Sequence, residues 1–263
     1  MKLNKLFTIA FLGATTICTT SLTSCKQEEK IIMATEASFA PFESIDTNGD
    51  YVGIDVEIAK GFAESEGKKL EVSNIDFDAI LPAIQSGKAD FAAAGMTVTE
   101  SRKQTVDFTD TYYSASQVVI VKKGSTYSSL TTVESIEAAL NVSGIKIGCQ
   151  SGTTGESYIK GSEEMGFTGL TNTTCQSYAS PYLACQDLTN GKINAIIIDN
   201  EPAKLYLKQY SELEILPVTL TTEDYAMAVQ KGNTELLTKL NAYIAKIKED
   251  GTLKTIIDNN LGA

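Results

Sequence analysis

The stretch KLEVSNIDFDAILPAIQSGKADFAAAG, residues 69–95, decides the fold class. Its apolar spacing predicts a strand over residues 69–75, a helix over residues 78–86 and a second strand over residues 89–95. Gly87 stands where a glycine commonly ends a helix. Strand, helix and strand in this order form a βαβ unit with parallel strands.

The same alternation continues in both directions along the chain. Upstream, a short apolar strand over residues 30–35 precedes a helix within residues 54–66. Downstream, the predicted strands are residues 146–150, 171–176 and 193–198, with helices between them. A long helix begins near Thr234, after the capping residue Asn233. We therefore expect an α/β protein with two lobes built on parallel sheets.

The composition narrows the possible functions. The chain of 263 residues carries 22 Lys and Arg against 33 Asp and Glu, a net charge of −11, and it has no His. The absence of His excludes Ser-His-Asp and Cys-His nucleophile pairs and His-ligated zinc. The negative charge argues against a nucleic-acid partner, because phosphate binding needs a basic surface.

Residues 1–24 have the form of a signal peptide. Two lysines precede an apolar run over residues 6–17, which is too short to span a bilayer. The segment LTSC, residues 22–25, resembles the lipobox of bacterial lipoproteins, which implies cleavage before Cys25 and a lipid on its thiol. Residues 25–30 then form a tether that holds an exported protein at a membrane, facing the periplasm or the cell exterior. A plain secretory signal with an incidental cysteine is the alternative.

The cysteines allow one disulfide but do not fix it. Cys18 is removed with the signal peptide and Cys25 takes the lipid, which leaves Cys149, Cys175 and Cys185. In an exported protein the pair nearest in sequence is Cys175–Cys185, and buried free thiols are the alternative. A cysteine-based metal site lacks the usual spacing and a fourth ligand. We expect no metal and no cofactor.

Five segments of the chain carry a family resemblance. They are ATEASFAPFESIDTNGDYVGIDVEIAKGFA (34–63), IDFDAILPAIQSGKADFAAAGMTVTESRKQTVDFTDTYY (75–113), IKIGCQSGTTGESY (145–158), LTNGKINAIIIDNEPA (188–203) and KGNTELLTKLNAYIAKIKEDGT (231–252). In this order they resemble the periplasmic amino-acid-binding proteins of ABC importers, the small type II solute-binding proteins. Only the tail departs, because residues 256–261 lack the aromatic ending common in relatives. The resemblance implies an α/β, two-lobe, type II periplasmic-binding-protein (Venus flytrap) fold, with parallel-sheet lobes joined by two hinge strands.

The resemblance also implies the domain organisation. Lobe 1 consists of residues 26–118 and 226–263, and lobe 2 consists of residues 123–222. The chain crosses between the lobes at two hinges, residues 118–122 and 225–229. Composition alone does not distinguish this discontinuous division from two sequential domains.

A cation at the start of a predicted helix is the first candidate site residue. The guanidinium of Arg102 is suited to a carboxylate, which it binds through two parallel hydrogen bonds. Ala94, Gly95 and Thr97 lie at the end of the preceding strand, where ligands bind in open α/β sheets. Without the family resemblance, Arg102 would be interpreted as a charged residue on the surface of a helix. The resemblance implies that it binds the carboxylate of an amino acid.

The second predicted lobe adds three candidates. The loop SGTTG opens a helix, so Thr154 can offer a hydroxyl and unpaired backbone N–H groups to an anion, although a simple helix cap is the alternative. Asp199 ends an apolar run and suits an ammonium group, or caps the following helix. The resemblance implies that Thr154 contacts the carboxylate, Gln150 lines the pocket and Asp199 binds the ammonium.

Three further residues are assigned by the resemblance. Phe39 and Phe77, which alone would be read as core residues, match positions that enclose the ligand side chain. Glu36 matches an acid that meets the polar end of that side chain. A second buried carboxylate calls for a cation, so we expect arginine, with lysine weaker and a neutral polar ligand such as glutamine as the alternative.

Two other function classes compete with amino-acid binding. A dehydratase branch of the same fold exists, and Glu36 and Asp199 are candidates for its acid and base. A membrane sensor would need a transmembrane helix, and the predicted mature chain has no sufficiently long apolar run. We expect a monomeric, non-catalytic protein whose partners are a free L-amino acid and an ABC permease in the cytoplasmic membrane, with no nucleic acid.

Overall fold

The computed structural model describes residues 29–262. The predicted signal peptide, Cys25 and the first residues of the tether lie outside this part. The strands within it are β1 (Lys30–Thr35), β2 (Ser38–Phe39), β3 (Glu43–Ile45), β4 (Tyr51–Val52), β5 (Lys69–Asn74), β6 (Phe91–Ala92), β7 (Val106–Phe108), β8 (Tyr113–Ala115), β9 (Gln117–Lys122), β10 (Lys146–Gln150), β11 (Thr174–Tyr178), β12 (Ala195–Asp199), β13 (Leu213–Ile215), β14 (Glu223–Tyr225) and β15 (Ala228–Gln230). The helices are α1 (Ile54–Ser65), α2 (Phe77–Gln85), α3 (Glu100–Thr105), α4 (Val133–Leu140), α5 (Thr154–Lys160), α6 (Pro181–Thr189), α7 (Asn200–Gln209), α8 (Thr234–Glu249) and α9 (Thr252–Leu261).

Two five-stranded sheets organise the described chain. The first has the order β5-β1-β6-β15-β7, and the second has the order β11-β10-β12-β9-β13. In each, three strands are parallel, as the βαβ pattern predicts. Strands β15 and β7 in the first sheet, and β9 and β13 in the second, add antiparallel pairs that the expectation of parallel sheets did not include. β15 and β9 are antiparallel because they enter their sheets from the opposite lobe rather than through a βαβ helix.

Apolar side chains cover both faces of the first sheet. Met33 and Phe91 pack on one face with Phe62 of α1, and all three are fully buried. Ala34 and Ala92, the next residues along the same strands, pack on the opposite face with helix α2. Helices on both faces explain why these strands read as continuous apolar runs. The loops that follow the strands are therefore held at one edge of a rigid sheet.

The chain crosses between the two sheets twice. The crossings are β8 and β14, which pair antiparallel with Glu223 opposite Ala115 and Tyr225 opposite Tyr113. Of the predicted hinge segments, residues 118–122 belong to β9 in the second sheet, and residues 225–229 run from the end of β14 into β15 of the first sheet. Among residues 29–262, no helix is both long and apolar enough to cross a membrane.

Candidate functional site

A narrow cavity lies where loops from both sheets face each other. Its lining residues are Glu36, Phe39, Phe77, Gly95, Thr97, Arg102, Gln150, Thr153, Thr154 and Asp199. The structure thus brings together all the candidate residues except Ala94. Ala94 is buried in the apolar cluster under α2, because successive side chains along an extended segment point to opposite sides. Thr153 lines the cavity in addition.

Arg102 spans the cleft from the first lobe to the second. Thr99 caps α3 by accepting a hydrogen bond from the backbone N–H of Arg102, which fixes the start of the helix. The guanidinium donates to the carbonyl of Thr97 at 2.6 Å and to the carbonyl of Gly152, in the second lobe, at 2.9 Å. It also lies over the ring of Phe77, 5.5 Å from the centroid. Burial lowers the pKa of Arg102, but an arginine stays charged in proteins, so the cavity holds a fixed cation.

Glu223 joins the two sides of the cavity and was not a candidate from the sequence. Its carboxylate accepts hydrogen bonds from the hydroxyls of Thr97 and Thr154, both at 2.7 Å, and from Thr221 at 2.8 Å. Thr97 belongs to the first lobe, Thr154 to the second, and Glu223 to the crossing strand β14. One buried carboxylate therefore orients a threonine from each lobe. The sequence gives no signal for this, because Thr97 lies 126 residues and Thr154 69 residues away along the chain.

Asp199 ends β12 with its carboxylate buried beside the cavity. It occupies the capping position of α7, but its side chain makes no capping hydrogen bond. It accepts instead a short hydrogen bond from the hydroxyl of Tyr225. Burial, and then the nearby negative charge of Glu223, raise the pKa of Asp199 to about 7. A cation placed beside Asp199 would favour its ionised form.

Glu36 lies directly after β1 and faces the second lobe. Its carboxylate accepts hydrogen bonds from the Ser38 hydroxyl at 2.8 Å and from the Gln150 amide at 3.0 Å. The same amide nitrogen also donates to the carbonyl of Ala179 at 3.1 Å, and this second hydrogen bond fixes the orientation of the Gln150 side chain. Burial raises the pKa of Glu36, although its hydrogen bonds oppose that shift.

Close packing fixes the floor of the cavity around Gly95. Gly95 has a φ of 51°, and a Cβ there would come within 3.0 Å of the Phe39 ring and 3.2 Å of the Tyr225 ring. Its backbone N–H donates to Asp55 at 2.8 Å, and the same carboxylate oxygen accepts from the Tyr112 hydroxyl at 2.7 Å. Asp55, whose pKa burial raises to about 6, is a second positioning residue that the sequence did not reveal.

Direct hydrogen bonds close the cleft outside the cavity. Ser151 donates to Asp78 at 2.9 Å, and the hydroxyl of Ser101 donates to Glu164 at 2.7 Å. On the opposite side, the Tyr206 hydroxyl donates to the Ser38 carbonyl at 2.8 Å. These contacts join helices α2 and α3 and strand β2 of the first lobe to two loops and helix α7 of the second, so the structure shows the closed arrangement.

The cysteines lie differently from the pairing expected from the sequence. The sulfur of Cys149 is 3.4 Å from that of Cys175, whereas Cys185 is buried in the apolar cluster that covers the other face of the second sheet. All three cysteines are free thiols in the structure, which is the alternative that the sequence left open, and the adjacency of β10 and β11 places Cys149 rather than Cys185 beside Cys175. Within residues 29–262, Cys149, Cys175 and Glu156 form the one group with possible metal-ligand spacing.

Two α/β lobes closed on a small polar cavity define a two-lobe binding protein with the type II periplasmic-binding-protein fold. The sequence pattern of the bacterial extracellular solute-binding proteins, family 3, matches residues 31–263, and the chain belongs to this family. It is 34% identical over 238 residues to the putative ABC transporter arginine-binding protein 2 of Escherichia coli strain K12, covering 89% of this chain and 91% of that protein.

Two solved structures of an ancestral arginine-binding protein extend the comparison. The arginine-bound one has a TM-score of 0.79 and 37% identity, and the match covers 89% of this chain and 98% of that one. The glutamine-bound one has the same TM-score and identity, with 90% and 100% covered. All three similar proteins are binding proteins by name, and the present chain is an extracytoplasmic solute-binding protein by its family.

Proposed function

We propose that this protein captures a cationic L-amino acid, arginine in preference to lysine, between its two lobes and delivers it to the permease of an ABC importer. One observation carries the ligand class: the cavity is lined by one cation, Arg102, and two carboxylates, Glu36 and Asp199, and the buried carboxylate of Glu223 accepts hydrogen bonds from Thr97 and Thr154 of its wall. An amino acid with a cationic side chain brings two positive groups and one negative group. It therefore neutralises this cavity better than a neutral amino acid does.

Each ligand group has a matching group in the cavity. The carboxylate fits between the guanidinium of Arg102 and the helix start at Thr154, where backbone N–H groups are available. The ammonium fits against Asp199. The side chain then extends between Phe39 and Phe77 to Glu36, and the aromatic faces add about 0.5–2 kcal/mol of cation–π attraction. Gly95, Thr97 and Gln150 complete the walls.

Two comparisons bear on the choice of ligand. The similarity to arginine-binding proteins supports the cationic assignment. The glutamine-bound ancestral structure supports a neutral polar amino acid as the second candidate. The side-chain amide of glutamine can also donate a hydrogen bond to Glu36. Calorimetry of the wild-type protein with arginine, lysine, ornithine and glutamine tests the proposal. Binding of glutamine without binding of arginine or lysine would overturn the cationic assignment.

Binding rather than catalysis is the better account of the two cavity carboxylates. A dehydratase of this fold would use Glu36 and Asp199 as acid and base, but each carboxylate has a binding task with a cationic amino acid. Glu36 is also held by Ser38 and Gln150. The purified protein should return an added amino acid or prephenate-like acid unchanged in a product assay, and turnover of either would favour the enzyme.

Substitution of Glu36 by glutamine should separate the two ligand classes. For arginine, loss of the charge-assisted contact should cost roughly 1.5–3 kcal/mol, about a 10- to 150-fold loss of affinity. For glutamine the change should stay within about threefold, because an amide pair replaces a neutral-to-charged hydrogen bond.

A matched control for Glu36→Gln is Asp76→Asn. Asp76 is an exposed carboxylate close enough to Glu36 to influence its pKa, but it does not line the cavity. Its removal should leave arginine affinity within about twofold, since exposed charges contribute little. Equal losses in both variants would show that the effect is the general negative field and not contact with Glu36.

The hinges of closure are proposed at β8 and β14. These strands hydrogen-bond to each other outside the two large sheets, whereas β9 and β15 are paired on both edges within a sheet. Small-angle scattering should show a smaller radius of gyration with saturating arginine than without it, and a mass of one chain in both states. Equal radii would contradict closure by the ligand, which requires contacts to both lobes.

The lipid anchor is a separate proposal that rests on residues 22–25. Cys25→Ala should release a protein that still binds ligand, because a cysteine after such a signal is the attachment point of the lipid. Membrane fractionation followed by immunoblotting measures the change. Cys18→Ala, a substitution within the predicted leader, is the control and should remain at the membrane. A Cys25→Ala protein that stays at the membrane after leader cleavage would contradict the anchor.

A further inference from the structure

Two cysteines meet behind the ligand-binding loop of the second lobe. Cys149 lies on β10 and Cys175 on the adjacent parallel strand β11, and their sulfurs are 3.4 Å apart. Cys149 is directly opposite Ser177, and Cys175 lies two residues earlier on the same face, so the pair is diagonal across the two strands. The next residue after Cys149 is Gln150 of the cavity.

The two thiols differ in exposure and in acidity. Cys149 is buried, whereas Cys175 is half-buried. A hydrogen bond from Cys149 lowers the pKa of Cys175, and the same bond, with burial, raises the pKa of Cys149. The more accessible sulfur is therefore the better nucleophile, because thiolates attack disulfides and thiols do not.

We propose that Cys149 and Cys175 form an intramolecular disulfide in the exported protein. The oxidant is the disulfide of a thiol oxidoreductase or of a small thiol compound. The Cys175 thiolate attacks one sulfur of that disulfide, which forms a mixed disulfide and expels one thiolate. Cys149 then loses its proton and attacks the sulfur of Cys175, which expels the second thiolate. Two electrons and two protons pass from the pair to the oxidant, which becomes two thiols.

A metal site is the competing use of the same sulfurs. Glu156 is the third group in reach, but its carboxylate already accepts hydrogen bonds from Lys160 at 2.6 Å, from the Ser177 hydroxyl, and from the backbone N–H of Gly152 at 2.8 Å. A metal would have to displace some of these donors and still lack the fourth ligand that structural zinc takes. The geometry therefore favours the disulfide.

The disulfide would link the two strands that hold one side of the ligand site. The carboxylate of Glu156 accepts a hydrogen bond from the backbone N–H of Gly152, and the carbonyl of Gly152 accepts one from Arg102. Cys149 lies on the strand that leads into this loop. A covalent link between β10 and β11 restrains the unfolded chain over a loop of moderate length, and thereby stabilises the second lobe. The proposal does not depend on which amino acid binds.

Peptide mapping of the exported full chain tests the pairing. Free thiols are first blocked with an alkylating reagent under denaturing conditions without reductant. Trypsin leaves Cys149 in residues 147–160 but leaves Cys175 and Cys185 together in residues 161–192. Chymotrypsin is therefore added, because Tyr178, Tyr182 and Leu183 separate Cys175 from Cys185. The expected result is a link between the Cys149 and Cys175 peptides, with Cys185 alkylated.

Two variants provide the matched comparison. A reductant should lower the thermal midpoint of the wild type by several degrees, should leave Cys175→Ser unchanged, and should lower that of Cys185→Ala as in the wild type. Three alkylated cysteines would overturn the proposal, as would a Cys175–Cys185 link. One zinc per chain in native mass spectrometry, with both sulfurs alkylated after chelation, would overturn it in favour of a metal site.

Discussion

Replacement of Arg102 by alanine is expected to lower the affinity for arginine by about 100-fold to several-thousand-fold, the equivalent of about 3–5 kcal/mol. The ligand carboxylate would then enter a closed cavity with no cation, opposite Asp199 and near Glu223. Arg102 also holds the carbonyls of Thr97 and Gly152 from opposite lobes, so its loss weakens the closed state itself. Titration calorimetry with arginine measures the change.

Two further variants at the same helix distinguish charge from geometry. Arg102→Lys keeps a cation but loses the planar fork, so its affinity should lie between those of the wild type and Arg102→Ala. Lys103→Ala removes the neighbouring exposed cation, which pairs with Glu100, and should leave binding within about twofold. The thermal midpoint of ligand-free Arg102→Ala should stay close to that of the wild type, because the freed carbonyls lie at the cleft. Binding within about threefold of wild type would remove Arg102 from the site.

Strands and helices were predicted where one feature of the local sequence, such as an apolar run, was sufficient to define them. Strand β10 covers residues 146–150, where the apolar run predicted it, and helix α6 lies between the strands predicted at residues 171–176 and 193–198. Strand β6 covers only Phe91–Ala92 of the predicted residues 89–95, because the chain leaves the sheet toward the left-handed turn at Gly95. Helix α9 was not predicted as a separate element; it begins directly after Gly251, whose left-handed backbone separates it from the end of α8 at Glu249.

Most residues that line the cavity could be named from the sequence, but the residues that hold them in position could not. Nine of the ten residues that line the cavity were candidates from the sequence, and Thr153 is the tenth. Glu223 and Asp55 act through partners far away in the chain, and only the packing of strands reveals those contacts. The Cys149–Cys175 contact has the same origin, because strand adjacency and not sequence distance decides which sulfurs meet. Residues that orient other residues leave little trace in a local pattern.

Lowering the pH from about 8 to about 5 should weaken arginine binding by roughly 100-fold, because Asp199 must be ionised to bind the ammonium group. The pKa of Asp199 in the ligand-free protein is raised to about 7 by burial and by Glu223. Below that pH, the carboxylate has to lose a proton before it can bind, so affinity should fall by about tenfold per pH unit. Arginine itself keeps its charge state across this range. Calorimetry at several pH values measures the slope, and a flat profile would mean that Asp199 is already ionised without ligand.

The variant Asp199→Asn distinguishes this mechanism from a general loss of fold at low pH. It should bind arginine weakly, and its remaining affinity should depend much less on pH. The stability of the ligand-free protein should change in the opposite sense. The folded-state pKa of about 7 lies above the unfolded value of about 3.9, so the Asp199 contribution to stability is present at low pH and is lost as the pH rises through 7. Near pH 8, ligand-free Asp199→Asn should therefore have a higher thermal midpoint than the wild type. A lower midpoint for Asp199→Asn would show that the hydrogen bond from Tyr225 stabilises the ionised carboxylate of Asp199 more than burial destabilises it. Any pH dependence of arginine binding would then have to come from Glu36.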